Sequence, residues 1–307
     1  MKDLHTLPKV EDSMSYIYLE HGRLEQDYLS LSFIDKDGCK IQIPASATCL
    51  IILGPGTTVT HQAVKTCAEN GCLIIWGGEE SIRYYASGFG ETRKNHKLMR
   101  QAKLASHPRS RLAVSYNMYL KRFDTPPEPG LTIKQLRGLE GVRVRDAYYR
   151  ASKSTGIPWK GRQYNPKRWN DSDPVNMALS VANSCLYGVC HSAIVSAGYS
   201  PGIGFIHKGT HLSFVFDIAD LYKTEITIPL AFEVVKDGVI NLERRTRTRC
   251  RDYFYKTRLL SRIIPDIDEV LKIDKDMEND IDIDGDEWVV GDLYDEDVGK
   301  VRGGQSW

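Results

Sequence analysis

The period of the hydrophobic pattern changes near residue 90, and this change limits the fold more than any other feature of the chain. Before it, SYIYLEHG, YLSLSFID and CKIQIPAS alternate apolar and polar residues between Gly- or Asp-containing turns, as half-buried strands do. Residues 14–53 are therefore expected to form a small antiparallel β unit. Thr60 then caps a helix that ends at Gly71, and the strands CLIIW and IRYYAS follow. The Gly- and Ser-rich stretch ASGFGETR closes this half. After it, apolar residues recur at intervals of three and four, which predicts helices over 94–123 and about 133–155. The stretch PWKGRQYNPKRWNDSD reads as a loop; Ser172 or Asp173 then caps a buried helix that opens at Pro174 and runs to Gly198. LSFVF reads as an apolar strand, with two further helices over 217–236 and 242–264. The expected fold class is α+β: an N-terminal β-sandwich-like domain (1–90), a larger all-helical catalytic domain (91–273) and a mobile tail (274–307).

Charge divides the chain differently. Residues 266–307 hold 15 acidic and 4 basic side chains, while residues 1–265 hold 37 Lys+Arg against 25 Asp+Glu. A basic body of this kind attracts polyanions, and the acidic tail is expected to compete with them for it. No uninterrupted apolar run approaches the ~20 residues a bilayer needs. The N-terminal MKDLHTLPKV has no apolar core for a secretory signal, so a cytoplasmic address is expected without a membrane. Seven cysteines, an odd number, fit reduced thiols.

Several motifs imitate known sites without completing them. Gly54-Pro-Gly-Thr-Thr-Val59 stands where a dinucleotide loop would, but its third glycine is Val59. Asp280, Asp282, Asp284 and Gly285 resemble the start of a calcium loop whose twelfth position is Gly291 rather than Glu. Cys67 and Cys72, and Cys185, Cys190 and His191, lack the paired short spacing of a structural zinc site, so core thiols are the better reading.

Asp217 and Asp220 lie three apart, a spacing that places two carboxylates about 5–6 Å apart on one helix face. An isolated pair of this kind can equally cap a helix. With His207 just upstream, however, the donors are two acids and an imidazole without thiolates, a set suited to Mg²⁺ or Mn²⁺. Glu140 lies on a helix among Arg137, Arg143 and Arg145, a setting also compatible with ordinary surface ion pairs. Arg244, Arg247, Arg251, Arg258 and Arg262 recur at steps of three, four and seven as one basic stripe, opposite Leu242, Thr246, Cys250 and Phe254. The 159–169 loop interleaves Trp159, Tyr164 and Trp169 with basic residues, a mixture able to stack on bases and neutralise phosphates.

LRGLEG at 136–141, SCLYGV at 184–189, GFIH at 204–207 and LSFVFDIAD at 212–220 together resemble the CRISPR-associated integrase, the large catalytic subunit of the spacer-acquisition complex. The likeness is closest to the subfamily of Cascade-type (type I-E) systems and covers about residues 14–265. The resemblance implies that Glu140, His207 and Asp220 are metal ligands and that Asp217 is their supporting acid. It also implies a homodimer that joins a small ferredoxin-like acquisition subunit in a heterohexamer. That assembly would attach the 3′-OH ends of a protospacer duplex to CRISPR repeat DNA. Arg83, Arg244, Arg247 and Arg251 are candidate DNA backbone contacts, Tyr187 matches a tyrosine near the site, and Tyr164 is a candidate for end recognition. His21 stands where the family has a tyrosine wedge, and the acidic tail replaces a proline-rich one. Two alternatives are a hydrolytic structure-specific nuclease and a non-enzymatic DNA-binding assembly subunit.

Overall fold

A computed structural model describes residues 16–28, 30–77, 84–88, 95–162, 173–272, 292–295 and 299–302. The strand half is two four-stranded sheets packed face to face. One has the order β1-β5-β7-β8, built from β1 (Ile17–Leu19), β5 (Leu50–Leu53), β7 (Leu73–Gly77) and β8 (Tyr84–Ser87). The other has the order β4-β3-β2-β6, built from β2 (Gly22–Asp27), β3 (Ser30–Asp35), β4 (Lys40–Ile43) and β6 (Thr57–Val59).

The expected antiparallel unit holds only for β2, β3 and β4. Strand β5 pairs parallel with both β1 and β7, and β6 pairs parallel with β2. The reason is a shared corner: β1 passes into β2 at His21, and β5 passes into β6 at Gly54-Pro55-Gly56, so two parallel strands turn from one sheet to the other together. Gly54 N donates to Leu19 O at 2.7 Å, His21 N to Pro55 O at 3.0 Å and Gly22 N to Gly56 O at 3.2 Å across that corner. A Cβ on Gly54 would lie 2.3 Å from the Tyr18 hydroxyl, and Gly56 has φ +67, so the glycines serve this turn. Helix α1 (His61–Glu69), capped by Thr60 Oγ1 accepting from Ala63 N, makes the crossover to β7.

Strand β5 is buried on both faces. Ile51 and Leu53 point into the sandwich with Leu24, Leu31 and Phe33. Leu50 and Ile52 point the opposite way into the helical core, because successive side chains alternate. The two halves therefore share a continuous apolar interior. At its centre runs α5 (Pro174–Ser196), whose Asp173 cap accepts from Val175 N and Asn176 N. By length and composition α5 could cross a membrane, yet most of it is buried inside the protein, so its apolarity is that of a core helix. Around it lie α6 (Ser213–Ala219), α7 (Thr227–Lys236), α8 (Leu242–Lys256) and α9 (Leu259–Val270).

Several predicted elements divide at identifiable residues. The 94–123 segment is two helices, α2 (His96–Ser106) and α3 (Pro108–Lys121), separated at His107 because proline lacks the N–H needed to continue a helix and restricts the residue before it. The 133–155 helix is α4 (Ile133–Thr155), with a Thr132–Gln135 capping box. The 242–264 segment breaks at Arg258, which has φ +49, so Arg262 belongs to α9. LSFVF is helical and forms most of α6, not a strand. In the tail, β9 (Asp292–Asp295) pairs antiparallel with β10 (Gly299–Arg302), so at least this part has regular structure.

Candidate active site

The site forms where α3, α4, α6 and the turn before α6 meet. Because LSFVF is helix, Asp217 and Asp220 stand at the end of α6, and Asp220 is its C-terminal cap residue. They consequently play different parts. Asp217 is fully buried and turns back on the preceding loop. Its Oδ2 accepts from Phe205 N at 2.6 Å and Ile206 N at 3.1 Å, while Oδ1 accepts from His207 N at 2.8 Å. The same Oδ1 lies 2.7 Å from His207 Nδ1. Gly204 permits this tight turn, since a Cβ there would be 2.5 Å from His207 O and 2.7 Å from Ser213 Cβ.

With Nδ1–H donated to Asp217, the neutral His207 ring presents its Nε2 lone pair, and that atom lies 4.0 Å from Asp220 Oδ2. The Asp217 hydrogen bond raises the His207 pKa; burial opposes this and Asp220 adds to it. Burial alone would raise the Asp220 pKa, but Lys223, whose Nζ is 2.7 Å from Oδ1, and then Arg122 outweigh it and hold the carboxyl below its usual range. Asp220 in turn helps keep Lys223 charged despite the burial that disfavours its ammonium.

Glu140 reaches the site from the second turn of α4. Arg143, three residues on, holds it with two hydrogen bonds at 2.9 and 3.1 Å and also donates to Thr224 Oγ1 at 2.5 Å. Arg122, at the end of α3, joins the acids: Nη1 is 3.6 Å from Glu140 Oε1 and Nη2 is 3.5 Å from Asp220 Oδ2. Glu140 and Asp220, 80 positions apart in sequence, thus meet at one guanidinium, with His207 beside Asp220. Two carboxylates and an imidazole fixed through its other nitrogen suit a hard divalent cation. Among the described residues no group of three or more His, Cys, Asp or Glu already stands at metal-binding spacing. Arg122, Arg143 and Lys223 supply the counter-charge instead.

An aromatic wall borders His207. Phe216 lies edge-on to it at 5.9 Å and to Tyr187 at 5.0 Å, and Lys223 Nζ lies 4.9 Å from the Tyr187 ring centre. Tyr187 therefore belongs to the site's surroundings. On α8, Arg244 and Arg251 are exposed, the latter paired with Asp252. Arg247 is half-buried over the Tyr18 ring at 4.4 Å, and Arg262 forms a bidentate pair with Glu225. The five-arginine stripe is accordingly shorter than its spacing suggests. Trp159 stacks on Tyr148 at 4.3 Å, and Arg162 is tied to Asn176 and Ser180, so both serve packing. Arg83 and Tyr164 lie outside the described residues. Arg122 and Lys223 were missed in the sequence. Lys223 has the helical three-residue spacing from Asp220, whereas Arg122 carries no local signal.

The model of the CRISPR-associated protein Cas1 family matches residues 121–264, the span that includes every acid and histidine of this site. A CRISPR-associated endonuclease Cas1 of Thermus thermophilus is 43% identical over 306 residues, covering 100% of this chain and 94% of that protein. The chain belongs to the Cas1 family. The CRISPR-associated endonuclease Cas1 of Escherichia coli is 42% identical over 268 residues, covering 87% of this chain and 88% of that one. Among solved structures, the crystal structure of a TtCas1–DNA complex aligns with a TM-score of 0.82 at 43% identity, over 95% of this chain and 100% of that one. A casposase bound to integration product shares the fold alone, at 12% identity and a TM-score of 0.60. The strand-then-helix architecture is that of solved Cas1 structures.

Proposed function

We propose that this Cas1 chain is a divalent-ion-dependent DNA integrase that also nicks branched DNA. It joins the 3′-OH ends of short protospacer duplexes to CRISPR repeat DNA by transesterification. The observation that carries this reading is that Arg122 brings Glu140 and Asp220 together while His207, held by Asp217, points Nε2 toward Asp220 beside Phe216. Glu140, Asp220 and His207 would hold Mg²⁺ or Mn²⁺, and Asp217 fixes the His207 ring without needing to touch the ion. When bound, the ion neutralises charge developing on the scissile phosphate and its entering and leaving oxygens. The incoming 3′-oxygen bonds to phosphorus as the repeat's bridging oxygen leaves and takes a proton. One phosphodiester replaces another, so no nucleotide cofactor is required.

DNA binding is supported by the related TtCas1–DNA complex and by the basic residues of α8. A homodimer working with a small ferredoxin-like subunit, of the Cascade-associated type and in the cytoplasm, is part of the same proposal. His207→Ala and Asp220→Ala should each reduce strand transfer into a repeat-bearing plasmid by at least about 100-fold, in keeping with loss of an ion's transition-state stabilisation, with duplex affinity within a few-fold. Retained transfer in both variants would remove the site. The hydrolytic alternative uses the same side chains with water as nucleophile. Duplexes with blocked 3′ ends separate the two: integration stops, whereas hydrolysis continues.

A further inference from the structure

Glu140 and Asp220 are each held firmly by a basic neighbour and more loosely by a second one. Arg143 holds Glu140 through both oxygens, Nε to Oε2 at 2.9 Å and Nη2 to Oε1 at 3.1 Å, and Lys223 holds Asp220 Oδ1 at 2.7 Å. The contacts of Arg122, to Glu140 Oε1 at 3.6 Å and to Asp220 Oδ2 at 3.5 Å, are looser than the ~2.7–2.9 Å of a strong charge-assisted bond. Arg122 is nevertheless only 6% exposed, lies 4.9 Å from the Tyr119 ring centre and leaves its buried Nε without a hydrogen-bond partner. A guanidinium does not deprotonate at working pH, so its positive charge is a permanent feature of the site.

We propose that Arg122 is a positioning residue standing in for the divalent ion: it holds Glu140 Oε1 and Asp220 Oδ2 together in the ion-free protein and yields them on binding. This rests on the metal-dependent reading above. Without a cation between them, two partly buried carboxylates repel one another and open the site. Glu140, Asp217 and Asp220 are balanced by Arg122, Arg143 and Lys223. A divalent ion therefore adds charge without an internal counterpart, and a DNA phosphate supplies one. Arg122 thus keeps ion affinity low until DNA arrives.

The test is Mn²⁺ titration of the full chain, by calorimetry and by electron paramagnetic resonance of free Mn²⁺, with and without a protospacer duplex. Arg122→Met should tighten Mn²⁺ binding without DNA on the order of tenfold, the scale of an ordinary coupling between two ligands. Its ion-free Tm should fall by roughly 5 °C and recover more with Mn²⁺ than the wild-type Tm does. Arg122→Gln, which keeps a donor and loses the charge, should give the same tightening. A purely structural arginine would lower Tm without strengthening the ion's hold, so unchanged or weaker Mn²⁺ binding in folded variants overturns the proposal. Should neither variant fold, Mg²⁺ titration of the wild-type chain decides: an Arg122 Nε–H resonance that stays still through saturation overturns it, and one that shifts supports it. If wild type and variants all fail to take up Mn²⁺ with or without DNA, the metal-dependent reading falls as well. Uptake that depends on Asp220 but is indifferent to Arg122 sinks only the present inference.

Discussion

Asp217 shows how one buried charge organises a site it need not contact directly. Its two oxygens take three backbone N–H groups and face the His207 ring, an arrangement that an amide cannot reproduce because one end would become a donor facing donors. Asp217→Asn should therefore lower stability by about 2–4 kcal/mol through unsatisfied buried donors. It should also reduce strand transfer, since His207 loses its orienting partner. Urea unfolding checks the first outcome through a lower midpoint at unchanged slope. The plasmid integration assay checks the second. Asp220, three residues on, has a different environment: it faces Lys223, Arg122 and His207 rather than the loop amides. Sequence spacing placed the two acids near one another, but could not distinguish their roles.

At the level of elements, the decisive contact is between β5 and α5. Gly188 lets the helix approach the sheet: a Cβ there would lie 3.2 Å from Leu50 Cδ2 and 3.4 Å from Ile52 Cδ1. Gly188→Ala should be close to neutral, because helix propensity gains about 1 kcal/mol against a tight but yielding contact. Gly188→Val should cost about 2 kcal/mol by overpacking, measured by thermal or urea unfolding. A larger valine penalty than alanine penalty identifies the strand–helix seam as the cause. The same seam includes Ser192 Oγ donating to Cys49 O at 3.1 Å, and beside it Tyr16 OH donates to Arg247 O of α8 at 2.7 Å. The Tyr16 bond fixes α8 against β1, where the Arg247 side chain packs over the Tyr18 ring at 4.4 Å and is partly enclosed although its spacing places it on the basic stripe.

For the molecule as a whole, α5 joins the halves and also carries a pH liability. His191 is buried on it, and burial, aided by neighbouring His211, lowers its pKa to about 4. The unfolded chain protonates this ring near 6.5, so the unfolded state binds more protons between the two values. Its contribution to stability is complete above about pH 6.5 and declines as pH falls toward 4, by up to about 3 kcal/mol. His191→Gln should flatten that part of the stability profile, measured by urea unfolding at a series of pH values. An equal slope in the variant would assign the decline to other groups.

The sequence by itself determined the strand-rich and helix-rich halves, the Thr60 cap, a cap at Ser172 or Asp173, the central buried helix and the identity of the candidate acids and histidine. These features have local signatures in period, spacing and capping chemistry. Tertiary structure decided that β1, β5 and β7 run parallel, that LSFVF is helical and that Arg122 stands between Glu140 and Asp220. Strand direction depends on pairing across long separations, a short apolar run fits strand and buried helix alike, and an arginine's partners are chosen by packing. The helix ending at Arg122 meets two acids 18 and 98 positions later in the chain only after the core has closed.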